Sequence, residues 1–248
     1  MTVYDALRDG NAGARHLIDS FIEILKNIGE VRCLLINKCL TNIGSLPVEG
    51  PARTLAIDGT EILIYGANPK AILLLRKALH LLPPETRRSL TMILIISDPG
   101  VLSAHFNSDK SDVLHPAHCH PETRVICIDT KHLEARYVWH EAAHARTFNL
   151  PKELLDDWLG IADLTYGIDY YEGKKFPTCG LVTRYGATNA LEDIATWVEY
   201  AYLHLGNKTK IFHKIEDPDP RFMQKLKFLL KWRFITRKCF KKLAPLLR

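Results

Sequence analysis

Residues 140–144 read His140-Glu141-Ala142-Ala143-His144, an H-E-x-x-H pattern inside a stretch that reads as a helix from about His132 or Leu133 to Asn149. Residues four apart on an α-helix lie on one face, one turn above the other. Both imidazoles can therefore reach a single metal ion at about 2.0–2.1 Å from each nitrogen, the distance zinc prefers. Glu141 sits about 100° further round the helix, beside such an ion and not on it, where a carboxylate can take a proton from attacking water. A catalytic zinc keeps three protein ligands and one open position, so two histidines require a third partner.

The surrounding chain sets the context for that search. It has 248 residues, 47% of them hydrophobic, enough for a real core in one larger domain or two joined lobes. No run approaches 18 uninterrupted apolar residues, and the start, Met1 to Gly10, carries acids where a signal peptide needs a basic stretch followed by an apolar one. A soluble, cytoplasmic protein is expected, with secretion as an effector left open. The six cysteines (Cys33, Cys39, Cys119, Cys127, Cys179 and Cys239) form no C-x-x-C pair, which argues against a disulfide framework and against a cysteine-type zinc site.

Apolar spacing predicts a helical extension over about 12–40, within residues 1–50. Arg53–Ile57 and Glu61–Tyr65 flank Asp58-Gly59 and read as a β-hairpin with a type I′ turn. Asn68 caps a helix begun by Pro69 and stopped near Leu82 by Pro83-Pro84. Thr91–Ser97 and Arg124–Asp129 read as strands, the latter as an antiparallel edge along which an extended peptide can pair, with a long polar connection from Asp98 to Glu122 between them. After the motif helix the chain is mostly helical, over about Pro151–Leu164, Asn189–His204 and Pro220–Leu243. The expected fold class is α+β: an α+β lobe over 51–150 ending in the motif helix, then a mainly helical lobe over 151–248, with 50–248 forming one catalytic unit.

Two places offer a third ligand. His115, His118 and His120 precede the motif in what reads as a loop, a poor support for a metal site. Downstream, Thr188 or Asn189 caps a helix whose first turn carries Glu192-Asp193, and helix-cap chemistry alone would also account for acids there.

The series Ile126-Cys127-Ile128-Asp129, His140-Glu141-Ala142-Ala143-His144 and Gly180-Leu181-Val182-Thr183-Arg184-Tyr185-Gly186-Ala187-Thr188-Asn189-Ala190-Leu191-Glu192-Asp193 resembles the gluzincin metallopeptidases. More narrowly, it is similar to the anthrax-lethal-factor-like and zinc-binding bacterial metallopeptidase groups. The resemblance spans roughly 72–236 and leaves the first 65 residues unmatched. It implies a zincin-like fold, one Zn2+ per chain held by His140, His144 and Glu192, Glu141 as general base, and Tyr185 as donor to an oxyanion. The implied activity is hydrolysis of internal bonds in a peptide or protein substrate. One departure stands out: family members often place an acid four residues after the ligand Glu to orient an imidazole, and here that place is Thr196. Asp193 and Glu199 are the acids available to substitute. The departure also sustains an alternative, a weak or inactive zincin-like domain acting as a binding module.

Trp139 reads as core, and Tyr166, Tyr170 and Tyr171 as surface aromatics or the lining of a cleft. Arg221 to Arg248 holds ten Lys or Arg and no acid, so it carries +10 while the net charge of the chain is +5, leaving −5 elsewhere. Such a segment can meet an anionic surface or partner. Phe222, Leu226, Leu229, Leu230 and Phe234 recur beneath the charges, however, and favour a solvated helix face. The sequence specifies no oligomeric state.

Overall fold

The computed structural model describes residues 52–96, 116–162, 165–215 and 219–247. The expected helical extension, Cys33, Cys39, His115 and most of the Asp98–Glu122 connection lie outside them. The chain divides into two compact units, Met1–Arg76 with Leu90–Leu133, and Lys77–Ser89 with Glu134–Arg248. Together the described residues form an α+β fold with a small mixed sheet, and none of their helices is long and apolar enough to cross a membrane.

The first unit is built on the five-stranded sheet, in the order β1-β2-β3-β5-β4. Its strands are β1 (Arg53–Ile57), β2 (Thr60–Tyr65), β3 (Met92–Ile96), β4 (Ala117–Cys119) and β5 (Val125–Asp129). The β1–β2 hairpin turns at Asp58 and Gly59, whose φ angles of 46° and 74° are the pair of positive values a type I′ turn requires. Asn68 Oδ1 accepts from Ala71 N at 2.9 Å and starts helix α1 (Pro69–Leu81), the crossover that lets β3 lie parallel to β2.

The expectation of an edge strand at Arg124–Asp129 is corrected. β5 lies inside the sheet, parallel to β3 and antiparallel to β4, and all five of its residues are buried. The reason is visible in Val-Ile-Cys-Ile: a strand covered on both faces is apolar at successive positions, whereas a half-exposed edge alternates. Among the described residues the strand outside β5 is β4, in the stretch that reads as a loop. Its His118 pairs in register with Cys127, and His120 Nδ1 accepts from Thr123 N at 3.4 Å in the turn leading to β5.

The second unit is helical: α2 (Pro84–Ser89), α3 (Ala135–Phe148), α4 (Glu153–Ala162), α5 (Ala190–Leu205), α6 (Pro220–Lys231) and α7 (Arg237–Leu243). Helices α3 and α5 pack against each other, with Ala142, Ala143 and Ala145 of one and Ala195 and Ala201 of the other fully buried. Trp139 is core, as expected: its indole N–H donates to Ala78 O at 2.9 Å and its ring lies 5.4 Å from that of Tyr202.

The basic segment departs from its reading in two ways. The single helix expected over 220–243 is two helices. Arg233 has φ 61°, Arg233 N donates to Leu230 O and Phe234 N to Leu229 O, the two bonds of a Schellman stop. Thr236 then caps α7 by accepting from Cys239 N at 3.3 Å. The second departure is Lys225, which is fully buried in the apolar stripe of α6. Its ammonium donates to Asp193 Oδ2 at 2.5 Å and Gly180 O at 3.0 Å, and lies over the Trp158 ring at 4.9 Å. Tyr166 and Trp158 donate to the same Asp193 oxygen at 2.8 and 3.0 Å. Gly180 itself, at φ 73°, leaves no room for a side chain, since a Cβ there would meet Arg221 Cβ at 2.9 Å.

Breaking a buried pair strands the remaining charge, while removing both members is often tolerated. Lys225→Met is therefore expected to lower the unfolding free energy by about 3–5 kcal/mol in a urea titration, and Lys225→Met with Asp193→Asn to recover much of that loss.

Candidate metal centre

Helix α3 displays His140 and His144 on one face, and the start of α5 supplies the carboxylate opposite them. Asn189, extended at φ −165°, accepts from Glu192 N at 3.0 Å through its side chain, which places Glu192 in the first turn of α5. The helix N-terminus favours negative charge there. Three donor atoms converge: His140 Nε2 lies 3.0 Å from Glu192 Oε2 and 3.2 Å from His144 Nε2, and His144 Nε2 lies 3.4 Å from Glu192 Oε2. Among the described residues this is the one group of three or more His, Cys, Asp or Glu side chains brought together in a way that can hold a metal ion.

The donor set fits such an ion on its own geometry. A tetrahedral ion at about 2.0–2.1 Å from each ligand holds neighbouring donors about 3.3–3.5 Å apart, close to the three separations here. The far side of the His140 ring adds a second argument. Its Nδ1 lies 3.1 Å from Glu199 Oε2, so Nδ1–H donates outward and the Nε2 lone pair turns toward a Glu192 oxygen. Two acceptors at 3.0 Å repel unless a proton or a metal ion lies between them.

The electrostatics agree. Burial alone would lower the His140 pKa, but hydrogen bonds with Glu192 and Glu199 outweigh it and push it up to about 10. Burial alone would raise Glu192, yet hydrogen bonds from His140 and His144 hold its carboxyl well below the ordinary range. The pocket is built around positive charge.

Glu141 is buried beside this group, and its charge acts on both His140 and Tyr185. Tyr185 lies in the short turn Tyr185–Ala187 just before Asn189, half-exposed, with its ring centroid 5.9 Å from that of His140 and its phenol under the influence of the Glu192 carboxylate. Burial, then the carboxylates of Glu192 and Glu141, push the phenol upward and keep it a donor.

The structure thus brings His140, Glu141, His144, Tyr185 and Glu192 together. Of the two acids available to stand in for one at Thr196, Asp193 is engaged with Lys225, and Glu199 reaches His140. Arg136 escaped the sequence reading: its Nε lies 2.9 Å from Glu199 Oε1. The signal was available, since 136 is one turn before 140 on α3, and 199 lies seven residues after 192 on one face of α5. Of the three tyrosines, Tyr171 is buried with Leu181 and Ala187, Tyr166 serves Asp193, and Tyr170 is exposed. No protein-family model matches the chain, and neither a curated protein nor a solved structure does.

Metal uptake must displace the proton that His140 holds up to about pH 10. Below that pH each ion bound through His140 releases this proton, so apparent affinity rises with pH. Competition titrations with Co2+ or Zn2+ at about pH 6.5 and about pH 8.5 are expected to show roughly tenfold tighter binding per pH unit. Constant affinity across that interval would mean that His140 carries no proton there for the metal to displace.

Proposed function

We propose that the chain is a zinc-dependent peptidase of gluzincin type that hydrolyses internal peptide bonds of a peptide or protein substrate. The observation that carries this reading is the convergence of His140 Nε2, His144 Nε2 and Glu192 Oε2 with Glu141 and Tyr185 beside them. Two imidazoles and one carboxylate are the ligand set of a hydrolytic zinc with an open position.

An ion held by these three groups supplies a Lewis acid that acidifies water and polarises a carbonyl. The remaining work falls to the protein. Glu141 takes the proton of the attacking water and returns it to the leaving amine, a shuttle suited to a carboxylate one position along the helix from a ligand. The Tyr185 phenol, kept protonated, donates to the oxyanion that develops on the scissile carbonyl. Glu192 stays ionised and charge-balances the site. Cleavage of internal bonds, in preference to removal of terminal residues, rests on the family resemblance and on the lack of an acidic motif in the sequence suited to gripping a substrate amino terminus.

Purified protein is expected to carry one zinc per chain, lost in His140→Ala. Glu141→Gln should keep the zinc and abolish cleavage of an unstructured protein substrate. Tyr185→Phe should keep it and lower kcat about 10²–10³-fold, the usual cost of one oxyanion donor. Wild type without zinc sinks the proposal, whereas full occupancy with no cleavage across a diverse peptide library points to a non-catalytic zincin-like binding module.

A further inference from the structure

His140 is gripped from both ends of its ring. Nε2 faces Glu192 and His144, and Nδ1 faces Glu199 Oε2 at 3.1 Å. Glu199 is buried, 5% exposed, and its other oxygen lies 2.9 Å from Arg136 Nε. Arg136 stands one turn before His140 on α3, so a single carboxylate of α5 engages two successive turns of the metal helix.

We infer that Glu199, braced by Arg136, is the positioning residue that orients His140 toward the metal, an inference that rests on the metal centre proposed above. The alternative is an ion pair that only ties α3 to α5. Three observations favour positioning. The contact falls on the ring nitrogen whose hydrogen bond selects the tautomer, and a proton on Nδ1 is what frees Nε2 as a ligand. The other acids of α5 are engaged elsewhere, Glu192 at the metal group and Asp193 at Lys225. Thr196, at the position where the resemblance leads one to expect the orienting acid, is buried with a hydroxyl that makes no hydrogen bond. Glu199 lies seven residues after Glu192, on the same helix face.

The brace also acts on Glu199 itself. The ion pair sets a positive charge beside Glu199 Oε1 and so favours the ionised carboxylate, while the hydrogen bond itself runs from His140 Nδ1–H to Oε2. Arg136, 39% exposed at its side chain, lends that charge while keeping part of it in water. The half-exposed Arg also means that an apolar replacement of Glu199 leaves no fully buried unpaired cation.

The test measures zinc affinity of the purified full-length protein by chelator competition, with thermal melting of the metal-free form alongside. Glu199→Met preserves volume and accepts no hydrogen bond; it is expected to bind zinc about 10- to 100-fold more weakly. Glu199→Gln keeps an oxygen for Nδ1–H and is expected to regain most of the affinity. Long-range ¹H–¹⁵N spectra of the zinc form should show His140 protonated on Nδ1 in wild type and in Glu199→Gln.

Wild-type affinity in Glu199→Met overturns the inference while leaving the peptidase reading intact. So does a Glu199→Gln variant that melts like wild type yet recovers nothing, since the hydrogen bond would then not be the active element. Should Glu199→Met fail to fold, the Glu199→Gln affinity and the His140 tautomer decide the matter. Failure of wild type to bind zinc is a different result, because it removes the centre itself.

Discussion

The structure depends on holding three electron-rich atoms close together in a buried place. His140 Nε2, His144 Nε2 and Glu192 Oε2 lie 3.0–3.4 Å from one another, an arrangement that costs free energy unless positive charge is shared among them. The chain sustains it by packing α3 against α5, with the Trp139 ring of one 5.4 Å from the Tyr202 ring of the other and Arg136 of α3 paired with Glu199 of α5. The first turn of α5 contributes as well, because a helix N-terminus favours the carboxylate that must sit there.

Once α5 is fixed, its three acids divide the work. Glu192 faces the histidines, Glu199 orients one of them, and Asp193 points the other way into a nest of Lys225, Tyr166 and Trp158 donors. Asp193 is the residue next to the proposed ligand, so the Lys225 bond anchors the first turn of α5 to α6. The basic segment is thereby drawn into the support of the site. Other cations of that segment also have partners: Arg221 with Asp219, Lys231 with Asp157, and Lys242 with the Leu205 carbonyl near the end of α5.

Much of this was legible where a residue type has one strong local consequence. Asp58-Gly59 specified a turn needing two positive φ values, Asn68 specified a helix start, Thr188-Asn189 another whose cap proves to be Asn189, and the four-residue spacing of His140 and His144 placed both on one face. What escaped depends on partners far along the chain or on a residue acting outside its usual role. Arg233 ends α6 in a left-handed conformation normally given to glycine, so no breaker marks the stop. Lys225 occupies a stripe position whose spacing says buried while its charge says exposed. The spacing prevailed because Asp193 waits across the interface. β5 reads as an edge only if its continuous apolar run is overlooked.

The absence of an acid at Thr196 shows how helical geometry should be read from sequence. A residue four places after Glu192 is rotated by about 40° from it, and one seven places after by about −20°, so both share its face and differ mainly by about 4.5 Å along the axis. An imidazole has two nitrogens separated by the width of its ring, and an orienting carboxylate need only meet the one turned away from the metal. Glu199 does so from one turn further along, with Arg136 in place to receive its second oxygen. Thr196, by contrast, is buried on the same face close to Gly186. Position 196 holds a short hydroxyl side chain without a hydrogen-bond partner in the protein, while 199 sets its carboxylate between His140 and Arg136.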